Sequence, residues 1–151
     1  MKITKIGING LKLIKEFEGC KLKAYKCPAG VWTIGYGNTF YPDGRKVKEG
    51  DVITQGEADN LLLSILDSFE KSTDSFTIDE ISQHQFDALV SFAYNCGVNN
   101  LKNSTLLKKV NANPNDPTIR NEFHKWTRSN GVVMRGLVRR RIAEAYLYFM
   151  K

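Results

Sequence analysis

The stretch EGCKLKAYKCPAGVWTIGYGNT, residues 18–39, marks the point where the sequence changes from a helical pattern to a β pattern. Before it, apolar residues recur at helical spacing, and Glu18 stands at the end of that pattern. Within it, CKLKAYK alternates, CPAG is typical of a turn, and VWTIGYG is rich in residues that favour strands. A second turn follows at YPDG, so the segment up to about residue 47 predicts a small antiparallel sheet of three strands.

Glu18 is the first candidate for chemistry because of its place on the predicted first helix. Leu11, Ile14 and Glu18 lie at positions i, i+3 and i+7, which places the carboxylate on the buried-side stripe, whereas Glu16 points off it. Gly19 is a candidate C-cap. An apolar flank and the negative end of the helix dipole both favour the neutral carboxylic acid that a general acid needs. The alternative is a structural carboxylate paired with one of the C-terminal arginines.

The sequence after residue 54 predicts helices. Thr54 with Glu57, and Ser82 with Gln85, have the spacing of capping boxes, so a helix is expected to begin at each. Each start is followed by an apolar stripe at helical spacing. The stripes consist of Leu61, Leu62, Ile65, Leu66 and Phe69, and of Phe86, Leu89, Val90, Ala93 and Cys96.

Three shorter helical patterns complete the chain, over residues 105–110, 118–128 and 137–150. The last is expected to bury Ile142, Tyr146 and Phe149. The whole predicts an α+β fold: an N-terminal helix, a small antiparallel sheet, and a larger helical part, with a cleft between the two parts.

Charge is segregated along the 151 residues, a length that fits one domain. Residues 1–48 carry ten Lys/Arg and three acids, residues 49–119 carry four and eleven, and residues 120–151 carry eight and two. Basic ends around an acidic middle predict attraction to a polyanion, and nucleic acid, acidic lipid and anionic cell-wall polymer all qualify. Solvated helix faces are the alternative reading.

The cysteines and the apolar runs indicate where the protein is made. Cys20, Cys27 and Cys96 are odd in number and have no CxxC spacing, so neither a disulfide framework nor a zinc site is expected. Cys20 and Cys96 are predicted to be small buried hydrophobes. No run is long enough for a membrane span, and the N-terminal sequence lacks a signal-peptide core. We therefore expect synthesis in a cytoplasm, and any work outside it would require a separate exit route.

The spacing of Glu18, Cys27 and Thr33, nine and then six residues apart, carries a family resemblance. Further segments follow in order: DALVSFAYNCG (87–97), NSTLLKKVN (103–111) and GLVRRRIAEA (136–145). The set resembles the phage-type lysozymes, or endolysins, of glycoside hydrolase family 24. Their signature is a glutamate, an aspartate nine residues on, and a threonine six further in a TIGxG strand.

The resemblance implies one lysozyme-like domain over residues 1–151. Its β-containing lobe would cover about 20–50, and its helical lobe about 54–151 together with the N-terminal helix. The implied activity is hydrolysis of the β-1,4 bond between N-acetylmuramic acid and N-acetylglucosamine in peptidoglycan, which lyses the bacterium. No metal or organic cofactor, no nucleic acid and no second subunit is implied.

The resemblance also implies roles for individual residues. Glu18 would protonate the glycosidic oxygen, and Thr33 would help to hold the attacking water. The residues implied to contact the sugar are Gly37, Thr39, Tyr94 and Asn95, with Ser104 or Thr105. One of Arg139, Arg140 and Arg141 would brace Glu18 or a neighbouring carboxylate. A purely structural role is the alternative for each of these residues, because a glycine can permit close strand packing, Asn95 can cap a helix, and Tyr94 can belong to the core.

Cys27 departs from the pattern, since it stands where the family has aspartate. An ordinary thiol, with a pKa of about 8.5, is mostly neutral at pH 7 and would be a poor base. If the basic hairpin lowers that pKa, a thiolate could act as base or as nucleophile. Otherwise Cys27 is passive, or the protein binds peptidoglycan without cutting it. We expect a working substitution, with Cys27 in the catalytic set.

Three rival functions remain at this point. A lytic transglycosylase also needs a single acidic glutamate, and it leaves 1,6-anhydro ends. A catalytically weak wall-binding module would use the basic segments alone. A nucleic-acid-binding module would need exposed aromatics among the basic residues, whereas Tyr146 is predicted to be core. Disruption of membranes by the basic C-terminal helix could accompany any of these.

Overall fold

The computed structural model describes residues 2–78 and 80–151. Its elements are α1 (Ile8–Glu18), β1 (Lys21–Lys26), β2 (Trp32–Gly35), α2 (Gln55–Phe76), α3 (Gln83–Cys96), α4 (Val98–Lys102), α5 (Thr105–Ala112), α6 (Ile119–His124), β3 (Arg128–Ser129), β4 (Val132–Val133) and α7 (Arg135–Tyr148). The chain divides into two compact units, residues 15–67 and residues 1–14 with 68–151. The α+β class is confirmed.

The β part of residues 15–67 is smaller than expected. β1 and β2 pair antiparallel, with Tyr25 opposite Thr33, and no third strand is present among the described residues of this unit. The YPDG turn does form, but the segments on either side of it share only the single bridge between Phe40 and Lys46. The cause lies upstream, where Ile34 and Asn38 exchange both backbone hydrogen bonds, at 2.8 and 2.9 Å. That tight turn ends the ladder before a third strand can extend it.

The helix boundaries predicted at Gly19, Thr54 and Ser82 are confirmed. Gly19 follows α1 with φ of 68°, a left-handed conformation that glycine adopts without strain. The Thr54 hydroxyl accepts from the Glu57 amide at 3.1 Å, and the Glu57 carboxylate accepts from the Thr54 amide at 3.0 Å. Ser82 and Gln85 form the same reciprocal box at the start of α3.

The core of residues 68–151 is built around α3, which is buried along most of its length and packs against α7. Phe92 on α3 makes edge-to-face contacts with Phe123 and Trp126, at ring-centroid distances of 6.1 and 5.3 Å. Tyr148 of α7 joins this group through Phe123, and its hydroxyl donates to the Pro114 carbonyl at 2.7 Å. These contacts fix the rotation of α7.

The predicted helix over 118–128 is wrong in its second half. α6 ends at His124, and the short hairpin of β3 and β4 follows. Asn130 and Gly131 both have positive φ, 51° and 80°, as the turn of a two-residue hairpin requires. The Asn-Gly pair is the sequence feature that indicates such a hairpin. The hairpin was not predicted because the residues around this pair follow a helical pattern.

The predicted buried face of α7 is also wrong. Ile142 and Tyr146 are 52% and 68% exposed, and Phe149 lies half-buried just beyond the helix end. The residues that α7 buries are Arg140, Arg141, Glu144, Ala145, Leu147 and Tyr148, and the first three of these are charged. The opposite charges of Arg140, Arg141 and Glu144 pair with one another, so the buried face contains charged positions that an apolar stripe cannot reveal.

Candidate active site

Glu18 is the last residue of α1 and is half-buried. The helix ends there because Gly19 turns the chain, and its amide closes the last turn on the Lys15 carbonyl at 3.0 Å. The carboxylate therefore stands at the C-terminal end of the helix dipole, three residues before Lys21, where β1 begins. Glu16 is exposed on the same helix, as predicted.

Cys27 opens the loop that connects β1 and β2, and it is half-buried. Its amide donates to the Val31 carbonyl at 3.0 Å, while the Gly30 amide donates to the Cys27 carbonyl at 2.8 Å. Gly30 has φ of 80°, so the loop bends back without strain at that position. The Pro-Ala-Gly turn thus holds the Cys27 backbone in place.

The same loop makes the Cys27 thiol more acidic than an ordinary one. The hydrogen bond from the Val31 amide is the largest effect that lowers the pKa of Cys27, and the Ala29 amide and the Thr33 hydroxyl act in the same direction. Partial burial opposes them, but the net direction is down. Backbone amides that point at the sulfur favour the thiolate because they supply fixed partial positive charge.

Thr33 lies on β2 and is 4% exposed. Its hydroxyl donates to the Val31 carbonyl at 3.0 Å, in the same loop that lies beside Cys27. The Thr33 hydroxyl also contributes to the lowered pKa of Cys27. The β1–β2 hairpin therefore places two of the three predicted catalytic residues, Cys27 and Thr33, near each other at its loop end.

Gly37 lies within the tight turn after β2, and Thr39 follows that turn. Gly37 is exposed and has φ of 92°, a conformation that other residues rarely adopt. Thr39 is half-buried, and its carbonyl accepts from the Val47 amide at 3.0 Å. Their predicted contact with sugar stays a prediction.

Tyr94 and Asn95 lie at the end of α3 and differ in their surroundings. Tyr94 is half-buried against Phe69, at a ring-centroid distance of 5.2 Å. Asn95 is exposed, and its Oδ1 accepts from the Arg141 guanidinium at 2.7 Å. That bond fixes the amide oxygen and turns Nδ2 away from the guanidinium. Asn95 also lines a cavity of about 390 Å³ together with Trp126 and five other residues.

Ser104 is the N-cap of α5 and is almost fully buried. Its Oγ accepts from the Leu107 amide at 3.0 Å and donates to the Leu101 carbonyl at 2.7 Å. These two bonds use the hydroxyl for helix capping. Thr105 is the first residue of α5 and is exposed. Of Ser104 and Thr105, only Thr105 therefore has a side chain that is exposed to solvent.

The three consecutive arginines of α7 have different environments. Arg139 is exposed, whereas Arg140 and Arg141 are buried and both pair with Glu144, at 3.3 and 2.8 Å. Burial raises the pKa of Glu144, and the two guanidiniums oppose that effect. Ser91 completes the group, since its hydroxyl donates to Glu144. The prediction that one arginine braces Glu18 stays a prediction.

The prediction for Cys20 and Cys96 is wrong, because both are half-buried rather than core residues. Cys20 lies just after α1, where its sulfur approaches the Gln55 side-chain oxygen at 3.9 Å. Cys96 is the last residue of α3, and its sulfur contacts the Arg141 guanidinium. All three cysteines are free. Among the described residues, no three His, Cys, Asp or Glu side chains are grouped to hold a metal ion.

Two other cavities, of about 330 and 140 Å³, lie within residues 15–67. Both are lined by Tyr41, Pro42 and Leu61, and neither includes a predicted catalytic or sugar-contacting residue. These two cavities therefore give no evidence about which residues are catalytic. That evidence comes from the surroundings of Cys27 instead.

Comparison with known proteins settles the family. Residues 15–144 match the sequence model of phage lysozymes. The chain belongs to the phage lysozyme family. The resemblance of the Glu18, Cys27 and Thr33 segment and of the later segments is thereby confirmed.

Individual relatives of this lysozyme-family chain cover it almost completely. The endolysin of Bacillus phage B103 is 44% identical over 98% of the chain, which spans 54%, about half, of that relative's length. The endolysin from Escherichia coli O157:H7 phage FAHEc1 superposes with a TM-score of 0.90 at 36% identity, covering 96% of this chain and 93% of that one. The muramidase domain of SpmX from Asticaccaulis excentricus gives 0.85 at 35% identity, covering 97% and 99%.

Three groups that surround the candidate site residues were not predicted from the sequence. The amides of Ala29 and Val31 are backbone groups, and the CPAG turn was the available signal for them. Glu144 follows Arg140 and Arg141 at spacings of four and three, the spacing of ion pairs on a helix. That spacing was visible in RRRIAEA, whereas the burial of the group was not.

Proposed function

We propose that this chain is a peptidoglycan-degrading endolysin that hydrolyses the β-1,4 bond between N-acetylmuramic acid and N-acetylglucosamine. The observation that carries the proposal is the match of residues 15–144 to the phage lysozymes, a segment that contains Glu18, Cys27 and Thr33 at the family spacing. The lowered pKa of the Cys27 thiol supports it, since a thiolate can act as a base. The names of its relatives agree, since they are endolysins and a muramidase domain.

The proposed reaction divides acid and base between two residues. Glu18 donates its proton to the glycosidic oxygen as the bond to the anomeric carbon breaks, and the leaving sugar departs with a free hydroxyl. A water attacks the anomeric carbon, and its proton passes to the Cys27 thiolate. Glu18 is then a carboxylate and Cys27 a thiol, and proton exchange with solvent restores both. Thr33 supports the step by helping to hold the water and by lowering the pKa of Cys27.

Binding is assigned to the remaining residues of the family pattern. Gly37, Thr39, Tyr94 and Asn95 would contact the sugar, as would Thr105 or Ser104. Among the arginines, Arg141 suits a supporting role, because it already orients the amide of Asn95. We propose that the monomer acts, without cofactor, after release from the bacterial cytoplasm, and that its basic segments draw it to the anionic envelope.

The rival within enzymes is a lytic transglycosylase. The observation in its favour is a thiol in place of the second carboxylate, because closing the muramyl 6-hydroxyl onto the anomeric carbon requires no attacking water. Mass spectrometry of digested, purified peptidoglycan separates the two. Hydrolysis leaves reducing muramic acid ends, and the rival leaves 1,6-anhydro ends.

The same digest includes Glu18→Gln as a control for contaminating activity. Reducing ends from the wild type, absent with Glu18→Gln, are the expected result. Anhydro ends would replace hydrolysis with the transglycosylase reaction. Binding to peptidoglycan with no released fragment of either kind would leave a wall-binding module.

A further inference from the structure

One face of α7 is exposed along the whole helix. Arg135, Arg139, Ile142 and Tyr146 follow one another at spacings of four, three and four, so they form one stripe. The chain enters this stripe from the β3–β4 hairpin, whose Val132 and the adjoining Val133 and Met134 are also exposed. We name these seven residues the basic–apolar surface.

The charge of this region is of one sign. Arg128, Arg135, Arg139 and Lys151 are all exposed. The single acid in residues 128–151 is Glu144, which is buried and held by Arg140 and Arg141. The segment therefore presents cations to solvent and no carboxylate of its own, and a polyanionic partner fits it.

The apolar members decide which polyanion fits. Val132 is 61% exposed, Val133 50%, Ile142 52% and Tyr146 68%. A polar polymer such as wall polyphosphate or nucleic acid would pair with the arginines but would leave these aliphatic side chains in water, and Tyr146 alone offers an aromatic face. The boundary region of a bilayer accepts both, with arginines at the headgroups and aliphatic side chains at the start of the acyl chains.

We propose that the basic–apolar surface binds the anionic phospholipid face of a bacterial membrane. α7 would lie along the interface, with the Val132–Val133 hairpin and Ile142 entering it and Arg135 at the headgroups. The contact is at the membrane surface, since no helix of the described residues is long and apolar enough to span a bilayer. Such binding would hold the enzyme where membrane and peptidoglycan face each other. It does not depend on the proposed reaction.

The test is cosedimentation of the full chain with vesicles. Phosphatidylglycerol mixed with phosphatidylethanolamine is compared with phosphatidylcholine, at low and moderate salt. We expect binding to the anionic vesicles only. Ile142→Asn should lower partition about tenfold, from lost apolar burial, and Arg135→Gln about fivefold, from one lost cation.

Matched variants separate the surface from general composition. Leu63→Asn removes an apolar side chain of nearly the same exposure, 51%, on α2, and Lys108→Gln removes an exposed cation on α5. Neither should change partition. Thermal unfolding of every variant shows whether it is folded. Val132→Asn, in the hairpin, provides a second apolar test if Ile142→Asn is destabilised.

Three results would overturn the proposal. They are equal binding to phosphatidylcholine, loss of binding with Leu63→Asn as large as with Ile142→Asn, and tighter binding to soluble polyglycerol phosphate or single-stranded DNA that Ile142→Asn leaves unchanged. The last would assign the surface to a polymer. Digestion of purified, membrane-free peptidoglycan by Ile142→Asn should match the wild type, so this test and that of the proposed function can fail separately.

Discussion

The Cys27 amide donates to the Val31 carbonyl at 3.0 Å, and this bond closes the loop between β1 and β2. A second bond, from the Gly30 amide to the Cys27 carbonyl at 2.8 Å, crosses the same five residues. The loop is thus closed twice, and the amides of its residues Ala29 and Val31 lower the pKa of the thiol. The acidity of the thiol is thus set by the backbone.

The first prediction concerns pH. Since the pKa of Cys27 is lower than that of an ordinary thiol, and since the thiolate is the form above the pKa, activity should begin at a lower pH than an ordinary thiol permits. Cys27→Asp should move the rising limb of kcat/KM down by several pH units, because an aspartate titrates near about 3.9. Initial rates on solubilised peptidoglycan across pH measure this. An unmoved rising limb would show that Cys27 is not the base.

A loop variant provides the control for that profile. Val31→Pro removes the amide that favours the thiolate, so the rising limb and the pH dependence of alkylation at Cys27 should both move upward. Val31→Ala keeps the amide and should leave both where they are. Equal shifts in the two variants would point to a packing effect.

The second prediction concerns Glu18. Glu18→Gln should keep the fold and peptidoglycan binding but lower turnover by roughly 10²–10⁴-fold, the usual contribution of a general acid. Glu16→Gln, an exposed neighbour on the same helix, is the matched control and should change turnover little. Turnover on solubilised peptidoglycan and a pull-down on intact sacculi give the two readouts. Reversed effects of the two variants would mean that the acid was assigned to the wrong glutamate.

Local signals in the sequence predicted most of the fold. The capping boxes at Thr54 and Ser82 and the glycine after α1 fix helix ends through backbone bonds that depend on neighbouring residues alone. The rotation of α7 could not be predicted in the same way. It depends on Tyr148 reaching Pro114 and on Ser91 reaching the buried Glu144, and both are long-range contacts that an apolar stripe does not reveal.

The candidate site, too, could be predicted from local sequence only in part. Spacing and resemblance predicted Glu18, Cys27 and Thr33, because these residues occur within one short segment. The lowered pKa of Cys27 comes from amides that have no side-chain signature, and the bond from Arg141 to Asn95 joins residues far apart in sequence. Neither feature could be predicted from the sequence, because both depend on contacts that form only in the folded chain.

The third prediction concerns the buried ion cluster. Glu144→Gln would leave Arg140 and Arg141 buried without a counter-charge, so it should lower the free energy of unfolding by about 3–5 kcal/mol. Arg139→Gln, at the exposed position next to Arg140, should stay within about 0.5 kcal/mol of the wild type. Urea unfolding monitored by tryptophan fluorescence measures both. A small change for Glu144→Gln would mean that water reaches the cluster.

The fourth prediction concerns the basic segments. If exposed cations draw the enzyme to the anionic envelope, lysis of whole cells should weaken with salt, which screens such charges beyond about 10 Å at 0.1 M. Cleavage of short soluble muro-oligosaccharides should barely respond, because it needs no long-range attraction. The two rates are compared over the same salt series. An identical salt response would place the effect in the chemistry and rule out attraction to the envelope.

The last prediction concerns the chemical role of Cys27. A thiol reagent should modify Cys27 faster than Cys96, whose pKa is raised by burial, and lysis should fall in step. Steric blockage alone could cause that loss, so substitutions are needed as well. Cys27→Asp should retain activity because it restores the family pair at the same spacing, and Cys27→Ala should lose much of it.

The anomeric form of the first product then distinguishes a base from a nucleophile. Inversion requires water to attack from the face opposite the leaving group, with Cys27 as the base, whereas retention requires a covalent thioglycosyl intermediate. We expect inversion, because Thr33 remains beside Cys27 to position that water. NMR of the products within the first turnovers, before the anomers equilibrate, measures it. Full activity in Cys27→Ala would show that Glu18 and Thr33 suffice and that the thiol is a bystander.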